Sequence, residues 1–246
     1  MMKKYFSWKG LNFDISNHNV YPPKPASLLL AETAIKNVKS GEKMLDVCTG
    51  CGIVAIAAAK FVPNIYVVAS DINPESIKVA QDNASRNKVM IKTRLGDLFE
   101  PFDDASFDVI TMHPPAIPYS QKNNFSMPEG IYLATNGGKD GSEIIRRAID
   151  EAKRCLKKNG RLLMLLPHWS NFNRSYSLLR KNYRNVSLLA QKKVRFWLLD
   201  YSDKEVMTYA YNLAKRGIIE IKFKNNRPFS VVSVICASDQ CADVNQ

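Results

Sequence analysis

The stretch Met44-Leu45-Asp46-Val47-Cys48-Thr49-Gly50-Cys51-Gly52 followed by Ile53-Val54-Ala55-Ile56-Ala57-Ala58-Ala59-Lys60 decides the fold. A short apolar run closes on small residues, two glycines permit a tight turn, and a helical segment follows. The same order recurs downstream. Residues 66–71 form a second apolar run ending at Asp71. Asn73 then stands where a helix needs a cap, with Pro74 at its first position. Glu75 sits in the first turn, where the helix dipole favours a negative charge. That helix is expected to reach about Arg86. Residues 90–95 read as a third strand ending at Gly96-Asp97, and residues 107–112 as a fourth ending at His113-Pro114-Pro115.

Residues 142–158 read as an amphipathic helix, with Ile144, Ile145, Ala148, Ile149, Ala152, Cys155 and Leu156 on one stripe, and Asn159-Gly160 is its stop signal. Residues 161–166 read as a fifth strand. Helices are expected at 171–182 and 204–216, and strands at 186–190, 218–223 and 230–236. The alternation predicts an α/β, Rossmann-like fold: a mostly parallel seven-stranded sheet with helices on both faces. Residues 1–40 read as a lead-in segment and helix, and residues 41–246 as the main domain.

Composition excludes several classes. The 246 residues are 46% apolar and 24% charged, so a packed core can offset the ordering entropy and disorder is excluded. No uninterrupted apolar run approaches the roughly 18 residues of a membrane span, and the basic start lacks the apolar core of a signal peptide. A cytoplasmic location, with no membrane partner, is the default expectation. Five cysteines, an odd number, fit a reduced compartment. His18, His113 and His168 are isolated and lack metal-ligand spacing, so no metal site is expected. The formal net charge is +12, and it is unevenly spread. Residues 1–150 carry 17 basic and 16 acidic side chains, residues 151–246 carry 18 and 7. Arg180, Lys181, Arg184, Lys192, Lys193 and Arg195 could meet a polyanion such as RNA or a ribosomal particle, or could simply keep the surface solvated.

Sheets of this kind bind ligands at the carboxyl ends of their strands. Residues 48–52, Asp71, Asp97 and His113 fall at four such ends, so one crevice could collect them all. The glycine turn lets a ligand approach the main chain. Asp71, 21 residues after Gly50, could accept hydrogen bonds from ribose hydroxyls. Asp97 could read the exocyclic amine of an adenine, with Ile72 and Leu98 sandwiching the base. Gly50-x-Gly52-x-x-Ala55 also fits the degenerate dinucleotide fingerprint, which leaves a nicotinamide cofactor as a rival. Cys48-x-x-Cys51 has the spacing of a redox pair. Asp46 within the first strand and His113-Pro114-Pro115 after the fourth tilt the reading away from hydride transfer.

With these motifs in register, residues 20–170 resemble the class I S-adenosylmethionine-dependent methyltransferases. They are most similar to the group holding the release-factor glutamine methyltransferases and the small-domain methyltransferases. The lead-in Val20-Tyr21-Pro22-Pro23 and the segment Gly137-Gly138-Lys139-Asp140-Gly141 add to the likeness. The resemblance implies that Asp46, Cys48, Thr49, Gly50, Cys51 and Gly52 hold the methionine part of S-adenosylmethionine, Asp71 its ribose and Asp97 its adenine, with Ile72 and Leu98 on either side of the base. It implies that His113, Pro114, Pro115 and Ala116 take the acceptor, in place of the family's Asn-Pro-Pro-Tyr.

Three departures stand out. Cys48 stands where the family has the first glycine of the loop, His113 replaces an Asn that accepts a hydrogen from a planar amino group, and Ala116 replaces a stacking ring, which Tyr119 could supply. The expected function is methylation of an amide or amino nitrogen of a protein or nucleic acid. A small-metabolite N- or O-methyltransferase with His113 as base, and a decayed binding module, are the alternatives.

Overall fold

The computed structural model describes residues 3–120, 127–196, 204–225 and 227–239. The chain opens with a hairpin, β1 (Tyr5–Trp8) and β2 (Leu11–Asp14), that the sequence reading did not anticipate, followed by α1 (Pro25–Asn37). The main sheet is then laid down as β3 (Lys43–Val47), α2 (Ile53–Phe61), β4 (Tyr66–Asp71), α3 (Pro74–Arg86), β5 (Lys92–Leu95) and β6 (Phe107–Met112). After α4 (Glu129–Thr135) come α5 (Glu143–Cys155), β7 (Leu156–Pro167), α6 (Phe172–Asn182) and β8 (Asn185–Arg195). The described chain closes with α7 (Lys204–Lys215), β9 (Lys222–Lys224) and β10 (Arg227–Ser238).

The sheet has eight strands rather than seven, in the order β5-β4-β3-β6-β7-β10-β8 with β9 attached to β10. β3, β4, β5, β6 and β7 run parallel, and β10 is antiparallel to each of its three neighbours. From β3 the chain winds outward to β4 and β5, then crosses back to β6 and β7. That reversal opens a crevice beyond the carboxyl end of β3.

Strand alternation divides the core. Met44, Val109 and Leu163 face one side with Leu30 of α1, Ile56 of α2 and Val206 of α7. Their neighbours Leu45, Ile110 and Leu162 face the other with Ile145 and Ile149 of α5 and Leu179 of α6. The cap of α3 is as expected: the Asn73 side chain accepts from the Glu75 N–H at 2.9 Å. Asn159-Gly160 does not end a helix. α5 stops at Cys155, and both residues lie inside β7, because Leu156 already pairs with Phe107 ahead of a shift in register. No helix among the described residues is long and apolar enough to cross a membrane.

Candidate active site

β3 carries Asp46 to the floor of the crevice, where it is 2% exposed. Parallel pairing places Thr111 of β6 beside it, and the Thr111 hydroxyl donates to Asp46 Oδ1 at 2.7 Å. The Thr49 hydroxyl donates to Oδ2 at 2.7 Å. Burial nonetheless wins over these hydroxyls and pushes the Asp46 carboxyl up to about 6. At the end of β4, Asp71 accepts from the backbone N–H of Gly50 at 2.8 Å and of Asn73 at 3.0 Å. Burial raises this carboxyl as well, outweighing those backbone donors. Gly52, at φ +85°, lines no part of the crevice. It starts α2, and a Cβ there would sit 3.1 Å from Ala80.

The crevice has two lobes that share part of their lining. Cys48, Asp71, Ile72 and Pro115 line both. The first lobe gathers Asp46, Thr49, Gly50, Cys51, His113, Pro114 and Ala116, together with Tyr21 and Pro22 from the lead-in and Trp169 from beyond β7. The second holds Asp97 and Leu98. Asp71 and His113 thus face one cavity.

Some expectations need correction. Tyr119 supplies no ring to the crevice. It is 3% exposed and its hydroxyl lies 3.0 Å from Thr135 Oγ1, while Tyr132, edge-on to it at 5.6 Å, lines the second lobe. Asp97 does line the cavity, but it is shared with Arg147 of α5 at 2.8 Å. The surroundings of Cys48 and Cys51, both free thiols, disfavour the thiolate that a redox pair needs. Burial drives the Cys48 thiol well above its usual range, the carboxylates of Asp71, Asp46 and Asp97 add to this, and burial lifts Cys51 to about 12.

Sequence reasoning passed over Thr111, Arg147 and the α4 wall. Thr111 reads as one more β-branched residue in a strand, and Arg147 as the polar face of an amphipathic helix. Neither carries a local signal.

His113 leaves β6 at the mouth of the first lobe. Burial lowers its imidazole to about 4, and no hydrogen bond or charge among the described residues opposes this. The turn is held from behind. Ile117 N–H donates to Thr135 O at 2.8 Å and Gly137 N–H to Ile117 O at 2.9 Å. Gly137 packs so closely that a Cβ there would sit 2.7 Å from Ala116 Cα.

The donor set discriminates between cofactors. Two carboxylates, the buried Asp46 and the partly buried Asp71, have no cationic partner among the described residues. A buried charge without compensation is costly, so the matching ligand brings positive charge and hydroxyl donors. S-adenosylmethionine has an ammonium, a sulfonium and a ribose diol, and fits. A dinucleotide would set its anionic pyrophosphate against the same carboxylates.

Comparisons agree with that chemistry. Residues 20–128 match the family model described as Methyltransferase small domain. A Methanocaldococcus jannaschii chain named as a candidate protein N5-glutamine methyltransferase is 34% identical over 177 residues, 72% of this chain and 87% of that one. A release factor glutamine methyltransferase of Geobacter sulfurreducens is 31% identical over 64% of this chain, which spans only 56% of it. Among solved structures, a Thermus thermophilus 16S rRNA N2 G1207 methyltransferase in complex with AdoMet and guanosine superposes with a TM-score of 0.59 at 15% identity, covering 97% of this chain and 50% of that one. That likeness bears on the fold alone. With a carboxylate pair shaped for a cationic nucleoside and a relative matched over most of its length, the chain belongs to the class I S-adenosylmethionine-dependent methyltransferases, in the small-domain group that includes protein glutamine methyltransferases.

Proposed function

We propose that this enzyme methylates the side-chain carboxamide nitrogen of glutamine in a protein. The observation that carries the reading is His113: an imidazole with no hydrogen-bond partner among the described residues, in the same cavity as the carboxylates of Asp46 and Asp71. In this reading Asp46 takes the cofactor's ammonium, Asp71 the ribose hydroxyls, and Ile72 and Leu98 flank the adenine near Asp97. Bound S-adenosylmethionine supplies an electrophilic methyl group on a sulfonium.

The chain's own residues then have to place one planar nitrogen. A carboxamide NH2 offers two hydrogens in plane. A His113 ring nitrogen accepts one, and the Pro114 carbonyl, which accepts no hydrogen bond among the described residues, takes the other. Most of the rate gain is expected from this positioning. A methylated, still protonated amide is strongly acidic, so a weak base such as His113 suffices to receive its proton. The same weakness argues against an O-methyltransferase using His113 as base, since a hydroxyl needs a base poised nearer neutrality. The names of the relatives support a glutamine acceptor.

A nucleobase amino group is the second reading. It is favoured by the exposed cations Arg180, Lys181, Arg184, Lys192 and Arg195 on or beside α6 and β8. One experiment separates the two. Cell extract is incubated with the enzyme and methyl-labelled S-adenosylmethionine, then protein and RNA are digested and analysed by mass spectrometry. The reading requires label in N5-methylglutamine. Label confined to nucleosides, or to small molecules, refutes it.

A further inference from the structure

The surplus positive charge of the C-terminal half gathers in one place. β8, β9 and β10 together hold six lysines and arginines and no carboxylate. All six fall at one end of these strands: Lys192, Lys193 and Arg195 close β8, Lys222 and Lys224 belong to β9, and Arg227 opens β10. Residues 185–191 and 228–238 carry none. Charge that only keeps a surface solvated has no reason to collect at one end, whereas a local field of one sign attracts an anionic partner.

That end is the crevice end. Val232 pairs with Pro167, the last residue of β7, and β10 is antiparallel to both β7 and β8. The start of β10 and the end of β8 therefore sit beside the carboxyl ends of the parallel strands. The His168 N–H donates to Val231 O at 2.8 Å, and the next residue, Trp169, lines the first lobe.

Register decides which side chains share a face. Val194 and Val232 turn into the core with Leu30 of α1 and Val206 of α7, so Lys193, Arg195 and Val231 turn the other way. Arg195 lies opposite Phe229, Phe229 opposite Lys222, and Lys193 opposite Val231, and cross-strand partners share a face. Lys193, Arg195, Lys222 and Arg227 are exposed, and Phe229 is half-buried with Lys193 Nζ 3.5 Å from its ring centre. Glu220 holds Lys222 at 2.7 Å, but Lys193, Arg195 and Arg227 meet no carboxylate among the described residues. Two inter-strand spacings make the face about 10 Å wide, room for one extended strand.

We propose that this face docks single-stranded nucleic acid, with Lys193, Arg195 and Arg227 on its phosphates and Phe229 under a base. An acidic peptide would satisfy the cations and leave the ring without a use. A nucleotide supplies an anion and a π-face together. A phosphate that draws Lys193 aside opens the Phe229 ring to the base. The strand is thereby held beside the first lobe, whichever atom there receives the methyl group.

Fluorescence anisotropy with labelled oligouridylate, oligothymidylate and a polyglutamate peptide of equal length tests this on the full chain. Three phosphate contacts, at about 0.7 each in the salt slope, predict that affinity for the oligonucleotides falls about 10- to 30-fold between about 50 and 200 mM salt. Replacing Lys193, Arg195 and Arg227 together by alanine should lower that slope by about 2 and leave affinity for S-adenosylmethionine unchanged. Phe229→Leu should weaken oligonucleotide binding about 5- to 150-fold at an unchanged slope, the worth of one stacked base. Affinity confined to uridylate or to thymidylate supports the surface and names its source. No saturable oligonucleotide binding at low salt, polyglutamate bound as tightly, or a triple variant that binds like wild type overturns the proposal. None of these readings involves methyl transfer, so the glutamine assignment stands or falls separately.

Discussion

Asp46→Asn isolates the central electrostatic claim. In the free enzyme the Asp46 carboxyl is held near 6 by burial, against about 3.9 for an exposed aspartate. A raised carboxyl binds its proton more tightly folded than unfolded. Its contribution to stability is therefore complete below the unfolded value and is lost as pH rises through about 6. The two-unit gap corresponds to about 3 kcal/mol at neutral pH. Asn is neutral and nearly isosteric. Its oxygen can still accept from Thr111, and its amide can donate to a reversed Thr49 hydroxyl. The variant without cofactor should thus melt about 6–12 °C above wild type near neutral pH, at 2–4 °C per kcal/mol for a chain of this size. The two melting points should converge at about pH 4, where the wild-type carboxyl is already protonated. Affinity for S-adenosylmethionine should fall about 10- to 150-fold, the worth of one charge-assisted hydrogen bond. Differential scanning calorimetry across pH and isothermal titration supply both readings. A variant that is less stable near neutrality, or that binds cofactor as tightly as wild type, refutes the picture of an uncompensated carboxylate awaiting a cation.

Four further outcomes are expected. At saturating cofactor, the pH dependence of kcat should show no step in the ordinary imidazole range near about 6.5, since burial keeps His113 neutral down to about 4; a His-like step there contradicts its environment. Cys48 and Cys51 should resist iodoacetamide at about pH 8 in the native protein and react only on unfolding, as mass-mapped alkylation will show. Gly137→Ala should cost about 1–3 kcal/mol in urea unfolding and sharply reduce turnover, because its methyl group would press on Ala116 and displace the His113 turn; an active, equally stable variant denies the buttress. Asn73→Ala should destabilise by about 1 kcal/mol through loss of the α3 cap, read by thermal melting.

Where local rules apply, residues and structure agree closely. β4 and β6 span the expected residues, Asn73 caps its helix, and Asp46, Asp71, Asp97 and His113 share one crevice. Strand ends are legible because a covered parallel sheet needs long apolar runs that stop where the chain turns. The disagreements share another origin. Asn159-Gly160 is a valid local stop, yet pairing of Leu156 with Phe107 outweighs it. Tyr119 is an aromatic three residues past Ala116, but the bonds of residues 117 and 137 to their neighbours turn it into the packing beneath the loop.

Short-range pattern alone was enough for the strand–helix order, the glycine turn and the acidic strand ends, since each depends on neighbours a few residues away. Folding decided the rest. Thr111 meets Asp46 across 65 positions, Arg147 meets Asp97 across 50, and Trp169 joins a wall with residues of the lead-in. Such pairs depend on sheet register and helix packing, which the whole core sets at once and no single segment encodes.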